Sequence, residues 1–353
     1  MNELVDKLAE LSGGLDARQE WPADQFGLLA QAGVLGWVIP REFGGSGVTQ
    51  GELLAGYVQL ASACLATTFV LTQRNGACQR IAASANDRLK AELLPKLARG
   101  ELFATVGISH LTTSRQHLRL PAVQVVEEAG GFRFHGDVPW VTGAAEADFI
   151  VTGGTLADGR QVLAAISTKL PGIQVGAPAR LLALSASHTS SVRLENVAVG
   201  RNDLIAGPIE QVMRQGAGST GSLGTSALAV GLSLAATQHL ASEAAVRPEL
   251  APILQPLADE CEGLQVAIAE AAEHSAAAVN PALSPESIRG RANSLALRST
   301  QALLAASKGA GFVSGHFAER AVREAMFFLV WSCPQPVVAA ALRELAGLGT
   351  CDV

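Results

Sequence analysis

AQAGVLGWVIPREFGGSGV, residues 30–48, begins as the end of a helix and then stops being one. Upstream, residues 3–12 and 24–32 carry apolar side chains at helical spacing, among them Phe26, Leu29 and Ala30. Pro40 and the glycines at 44, 45 and 47 break that period. Downstream, Thr49 followed by Glu52 is a capping-box signal for a long helix through Val58, Leu60 and Leu65. Another helix over residues 87–98 is expected to be interrupted at Pro95. The first hundred residues therefore read as all-helical.

From about residue 104 the apolar period shortens to two. VQVVEE, a Gly130-Gly131 turn and FRFHGD predict one hairpin; DFIVTGG, a LADG turn and RQVLAAIS predict a second; TSSVRLENVAV is a further strand. The segments lie too close together for crossover helices, so a small antiparallel barrel or sandwich is expected. After Pro208 the helical pattern returns in Ala-rich segments over about 216–246, 252–279, 285–309, 314–331 and 335–347, separated by prolines. That is the composition of an antiparallel bundle. The predicted class is α+β, with a helical domain over 1–103, a β domain over 104–207 and a helical bundle over 208–353.

Composition limits what such a chain does. At 353 residues it exceeds one small core, and with 48% apolar residues it has no disordered character. The net charge of −6 comes from interspersed acids and bases, which disfavours nucleic acid and anionic membrane as partners. Five cysteines without metal-ligand spacing imply a reducing compartment and no metal. MNELVDKLAE is amphipathic and acidic with no secretory pattern, and ALAVGLSLAA at 227–236 is too short for a bilayer. A soluble, cytoplasmic protein is expected.

The stretch 30–48 resembles the N-terminal signature of the acyl-CoA dehydrogenase family, a helix ending in Gly-Leu-x-Gly followed by Ile-Pro, an acidic residue and Gly-Gly. LKAELLPKLARGEL (89–102) is similar to the family's helix before its β domain, and PWVTGAAEAD (139–148) to its flavin-binding strand. The resemblance covers nearly the whole chain and implies FAD between β domain and bundle, with Trp140 and Thr142 flanking the ring. An indole suits an apolar ring face and a hydroxyl its polar edge, although a Trp there can also simply close the barrel's core. In SHLTTSRQ (109–116), aligned with the family's loop beside the flavin and its pyrophosphate, Ser109 keeps the hydroxyl. Arg115 either faces a phosphate or is a solvated loop charge. The family's subunit-crossing grip on the rest of the dinucleotide falls on Arg247 and on ASKGAGF, with Lys308, Gly309 and Gly311, so a homodimer or homotetramer is implied.

The same resemblance aligns the family's Arg-Asp-Ala…Ile-Tyr-Glu-Gly-Thr with Arg323-Glu324-Ala325…Val330-Trp331-Ser332-Cys333-Pro334. Ser332 therefore stands where the catalytic Glu is expected, and a hydroxyl cannot take the α-proton without another base. The alternative base position, on GAGSTGSLGTSALAVGL (216–232), holds no acid. Cys333 has no His close by in sequence, and Pro334 reads as a helix stop. The implied function is an FAD-dependent oxidoreductase acting on an acyl-CoA or similar thioester with an atypical active site, served by an electron-transfer partner. Two alternatives share the fold: a flavin monooxygenase with Ser109 and His110 near the flavin edge, or a non-catalytic subunit or binding protein.

Overall fold

A computed structural model describes residues 1–112, 120–214, 223–273, 280–331 and 333–348. Helices α1 (Asn2–Ser12), α2 (Leu15–Arg18), α3 (Ala23–Gln31), α4 (Gln50–Ala63), α5 (Leu65–Ala82) and α6 (Asp87–Ala98) come first. The expected capping box starts α4: the Glu52 N–H donates to Thr49 Oγ1 at 3.2 Å and the Thr49 N–H to Glu52 Oε2 at 2.8 Å. The Gly-Gly turn has a steric cause, because a Cβ on Gly45 would lie 2.0 Å from the Ile39 carbonyl oxygen. Trp37 seats on α4 in the same way, 2.5 Å from where a Gly56 Cβ would be. Pro95 does not interrupt α6, which runs through it to Ala98.

The β region is one eight-stranded sheet of order β6-β7-β3-β2-β4-β5-β8, with β1 also on β4. The strands are β1 (Ala104–Gly107), β2 (Val123–Glu128), β3 (Gly131–Val141), β4 (Phe149–Thr155), β5 (Gln161–Ser167), β6 (Ile173–Val175), β7 (Ser190–Gly200) and β8 (Leu204–Ile209). Both expected hairpins form, β2–β3 across Glu128↔Gly131 and β4–β5 across Thr155↔Gln161. The sheet is nonetheless mixed, since β1 runs parallel to β4 and β2 meets β4 in a parallel bridge. Alternate residues serve different cores: Ile150 and Val162 pack with Phe132 and Phe134, while Val151 and Leu163 face Ile81, Leu94 and Leu97 of α5 and α6.

The chain closes with α7 (Ser109–Thr112) inserted after β1, then α8 (Leu223–Val246), α9 (Ala251–Glu273), α10 (Pro285–Ala306), α11 (Lys308–Gly311), α12 (Phe317–Ala325), α13 (Phe327–Val330) and α14 (Gln335–Leu345). The segment expected as one helix over 314–331 is two, because backbone bonding switches to i→i−3 around Met326. α4 and α8 approach closely at Gly231, where a Cβ would meet Ala61 Cβ and the Val58 oxygen at 2.6 Å. The first helices and the last thus share one apolar core, including Leu54, Leu60, Leu228, Leu232, Leu264 and Leu295. No helix among the described residues is long and apolar enough to cross a membrane.

Candidate functional site

Between sheet, α5 and the bundle lies a cavity of about 770 Å³. One stripe of α5 lines it, Phe69, Thr72, Gln73, Gly76, Gln79 and Arg80, at the spacing that puts residues on one helical face. The bundle contributes Met326, Phe327, Val330 and Trp331, and the loop 181–184 adds Leu181 to Leu184. A smaller cavity of about 420 Å³ under the turn at 37–48 shares Gln50, Leu53 and Gln79 with the first.

Trp140 reaches this cavity through a backbone irregularity. Its φ is 57°, and the β3–β7 register shifts between Val138 and Val141. The bulge re-aims the indole outward, leaving it 50% exposed on the cavity wall. Thr142 is placed behind it: fully buried, its Oγ1 lies 3.1 Å from Thr189 Oγ1, and its carbonyl accepts from Thr105 Oγ1 at 2.8 Å. Thr189, not Thr142, lines the cavity.

Ser109 also lines it, with Oγ donating to the Pro139 carbonyl at 3.2 Å. His110 turns the other way, buried with Nε2 3.0 Å from the Gly153 carbonyl, so the expected pairing of Ser109 and His110 at one edge does not form. Arg115 and Ser332 lie outside the described residues. Ser332's neighbour Trp331 does line the cavity, its ring 4.8 Å from Phe69 and 5.3 Å from Phe327 by centroids. Cys333 sits 4.0 Å from Asn293 Nδ2, and burial pushes its thiol above the ordinary value, against nucleophile activation.

Arg247, Lys308, Gly309 and Gly311 form a separate group at the α10–α11 junction and do not line the cavity. The Arg247 guanidinium donates to the Ala306 carbonyl at 2.7 Å and pairs with Glu243. Lys308 and Gly309 are exposed, whereas Gly311 is buried where a Cβ would meet Ser307 Cβ at 2.6 Å.

Arg323, from the expected catalytic segment, has a positioning task. It bonds Glu319 at 2.5 and 3.2 Å and donates to the Leu182 carbonyl at 3.0 Å, tying the loop 181–184 to the bundle. The guanidinium holds the Glu319 carboxyl below its usual value. A depressed folded pKa gives stability that is complete above the unfolded value and lost as pH falls through the folded one. Glu319→Gln should therefore destabilise at about pH 7, and the difference from wild type in denaturant melts should shrink below about pH 4. A difference independent of pH would refute this.

No Asp or Glu occurs among the described residues lining the cavity. Nor do the stretches 113–119 and 215–222, or residue 332, contain one in sequence. The α5 stripe, Arg80 above all, is the part of the site that the sequence reading did not single out.

The comparisons with known proteins agree with this architecture. Residues 2–101 match the model of the acyl-CoA dehydrogenase N-terminal domain. Among curated proteins, (2S)-methylsuccinyl-CoA dehydrogenase of Cereibacter sphaeroides is 29% identical over 141 residues, 40% of this chain and 26% of that protein. A probable acyl-CoA dehydrogenase of Bacillus subtilis is 25% identical over 232 residues, 63% of this chain and 60% of that one. Residues 2–101 carry an acyl-CoA dehydrogenase N-terminal domain, and the longer matches make the chain similar to acyl-CoA dehydrogenases beyond it. The matched region thus spans about a quarter and 60% of these two relatives' lengths. The fold extends further: a glutaryl-coenzyme A dehydrogenase in complex with glutaryl-CoA superposes with a TM-score of 0.81 at 17% identity, covering 99% of this chain and 95% of that one. The described residues lining the cavity of this chain include no carboxylate.

Proposed function

We propose that the protein is a flavin-dependent oxidoreductase that acts on an acyl thioester, or a related substrate, with an atypical active site. One observation carries the reading: Trp140 is turned by a bulge onto the wall of a large, mostly apolar cavity, where an indole can cover a planar ring. The cavity's volume falls in the range of ligand and cofactor sites. Trp140, with the hydroxyls of Ser109 and Thr112, fits the ring end of FAD; Thr142 would act through Thr189. When bound, the flavin supplies the hydride-accepting chemistry. The relatives' names specify CoA thioesters, which supports that substrate class.

The dinucleotide end fits less completely within one protomer. Arg247 is engaged inside its own chain, while Lys308 and Gly309 are exposed. A homo-oligomer that completes the site at this junction is part of the proposal, as is an electron-transfer partner. The absent carboxylate favours a second reading, a non-catalytic binding subunit. The visible spectrum of the purified protein separates them, because a colourless protein that takes up no FAD supports the second.

Trp140→Ala should weaken FAD binding about tenfold, from the lost ring contact and apolar burial. Flavin affinity measured by fluorescence quenching checks this. An unchanged value would sink the placement of the ring.

A further inference from the structure

A chain of three hydroxyls stands behind the cavity wall. Thr189 lines the cavity, and its Oγ1 lies 2.8 Å from Ser187 Oγ and 3.1 Å from Thr142 Oγ1. Ser187 and Thr142 have no exposed surface, and neither hydroxyl has another hydrogen-bond partner among the described residues. The local fold holds the three in place. Leu184 (φ 62°) and His188 (φ 45°) are left-handed and curl residues 184–188 into a turn, closed by the Ser187 N–H on the Leu184 carbonyl at 2.9 Å. The Gly143 N–H donates to the Ser187 carbonyl at 2.9 Å and the Ala179 N–H to the Thr189 carbonyl at 2.9 Å, which pins the turn on both sides.

Counting protons fixes the direction of the chain. Each hydroxyl carries one proton and two lone pairs. If Thr189 gave its proton to Ser187 or to Thr142, that partner's own proton would be stranded without an acceptor in a fully buried place. With both neighbours donating to Thr189, its two lone pairs are used and every buried proton is placed. The Thr189 proton is then left over, and the open side of Thr189 is the cavity. Two bonds accepted at its oxygen also polarise the O–H and strengthen it as a donor.

We propose that Thr189 is a ligand-binding hydroxyl that acts only as a donor, and that it bonds an acceptor on the polar edge of the flavin whose ring face Trp140 covers. Trp140 and Thr142 lie two apart on β3, and Thr189 sits beside Thr142, so indole and hydroxyl belong to one wall. A flavin edge presents carbonyl oxygens and ring nitrogens as acceptors and one N–H; that N–H against Thr189 would oppose two donors, so the hydroxyl selects the acceptor part. Ser187 and Thr142 are positioning residues that act through Thr189. The proposal rests on the reading that this cavity takes FAD.

Titration of the full-length protein, stripped of any bound flavin, with FAD tests it, through affinity by fluorescence quenching and the visible spectrum of the bound flavin. Thr189→Val, which keeps the shape and removes the hydroxyl, is expected to weaken FAD about tenfold and to shift its visible bands. Thr189→Ser should give the wild-type bands, and Ser187→Ala should lose less affinity than Thr189→Val, because Thr142 still donates. FAD uptake by the wild type with Thr189→Val unchanged in affinity and spectrum overturns the proposal and leaves the flavin reading standing; no uptake by the wild type overturns both. Bands that move as far in Thr189→Ser as in Thr189→Val would trace the shift to packing and overturn the donor role. Should Thr189→Val not fold, the other two variants decide: wild-type bands in Thr189→Ser with less than a tenfold loss in Ser187→Ala support the donor, and shifted bands in the first or a tenfold loss in the second overturn it.

Discussion

Ser332→Glu is expected to accelerate anaerobic flavin bleaching by at least one acyl-CoA by about a hundredfold or more over the wild type, the usual range for a positioned general base being roughly 10²–10⁴. The expectation starts from the alignment that puts Ser332 at the position of the family's Glu. The flanking backbone is anchored: Arg289 Nη2 donates to the Trp331 carbonyl at 2.9 Å, and Asn293 Nδ2 to the Phe328 carbonyl at 2.9 Å. Trp331 lines the cavity, and the expectation is that a carboxylate at the next position reaches the same largely apolar space. Desolvation raises a carboxylate's pKa, in the direction a base needs. The wild type, with no acid among the described lining residues, should bleach slowly. Rapid wild-type bleaching would show that another group takes the proton, and the role given to the missing Glu would have to be withdrawn.

How far the sequence could lead depended on what each residue's neighbours made visible. The turn at 30–48 was legible because its glycines are obligatory: Gly45 has no room for a Cβ, and Gly33 ends a helix at φ 73°. Strand β1 gave no alternation, since all four residues of ATVG are buried, and so its parallel pairing with β4 could not be read. Trp140 and Thr142 lie two apart and would share a face in a regular strand, but the bulge at Trp140 breaks that parity and sends Thr142 inward. Arg80 escaped notice for a related reason. Helix α5 is buried on most sides, so its sequence carries little contrast between faces, and only the tertiary structure tells a core-facing position from a cavity-facing one.

Arg74→Ala is expected to destabilise the protein by roughly 3–5 kcal/mol, even though it removes a charge from the interior. Arg74 has no exposed surface; Nη1 donates to the Leu35 carbonyl at 2.9 Å and Nη2 to the Leu97 carbonyl. Those carbonyls belong to the turn region 34–36 and the last turn of α6, where helix ends leave acceptors over. One side chain of α5 thus holds the turn at 30–48 and the end of α6. Two opposing effects compete on substitution. Removing the guanidinium relieves its desolvation, including that of an Nε with no hydrogen-bond partner among the described residues. It also strands the buried Leu35 carbonyl, takes one of two donors from Leu97, and leaves a hole the size of the side chain. An unsatisfied buried group costs about 1–3 kcal/mol, and a large-to-small core change a further 2–5, so loss should dominate. Arg74→Met separates the effects, because it fills most of the hole while giving up the hydrogen bonds. The alanine variant should melt about 5–15 °C lower and the methionine variant by less. A methionine variant melting at or above the wild type would show that desolvation of the guanidinium outweighs its hydrogen bonds.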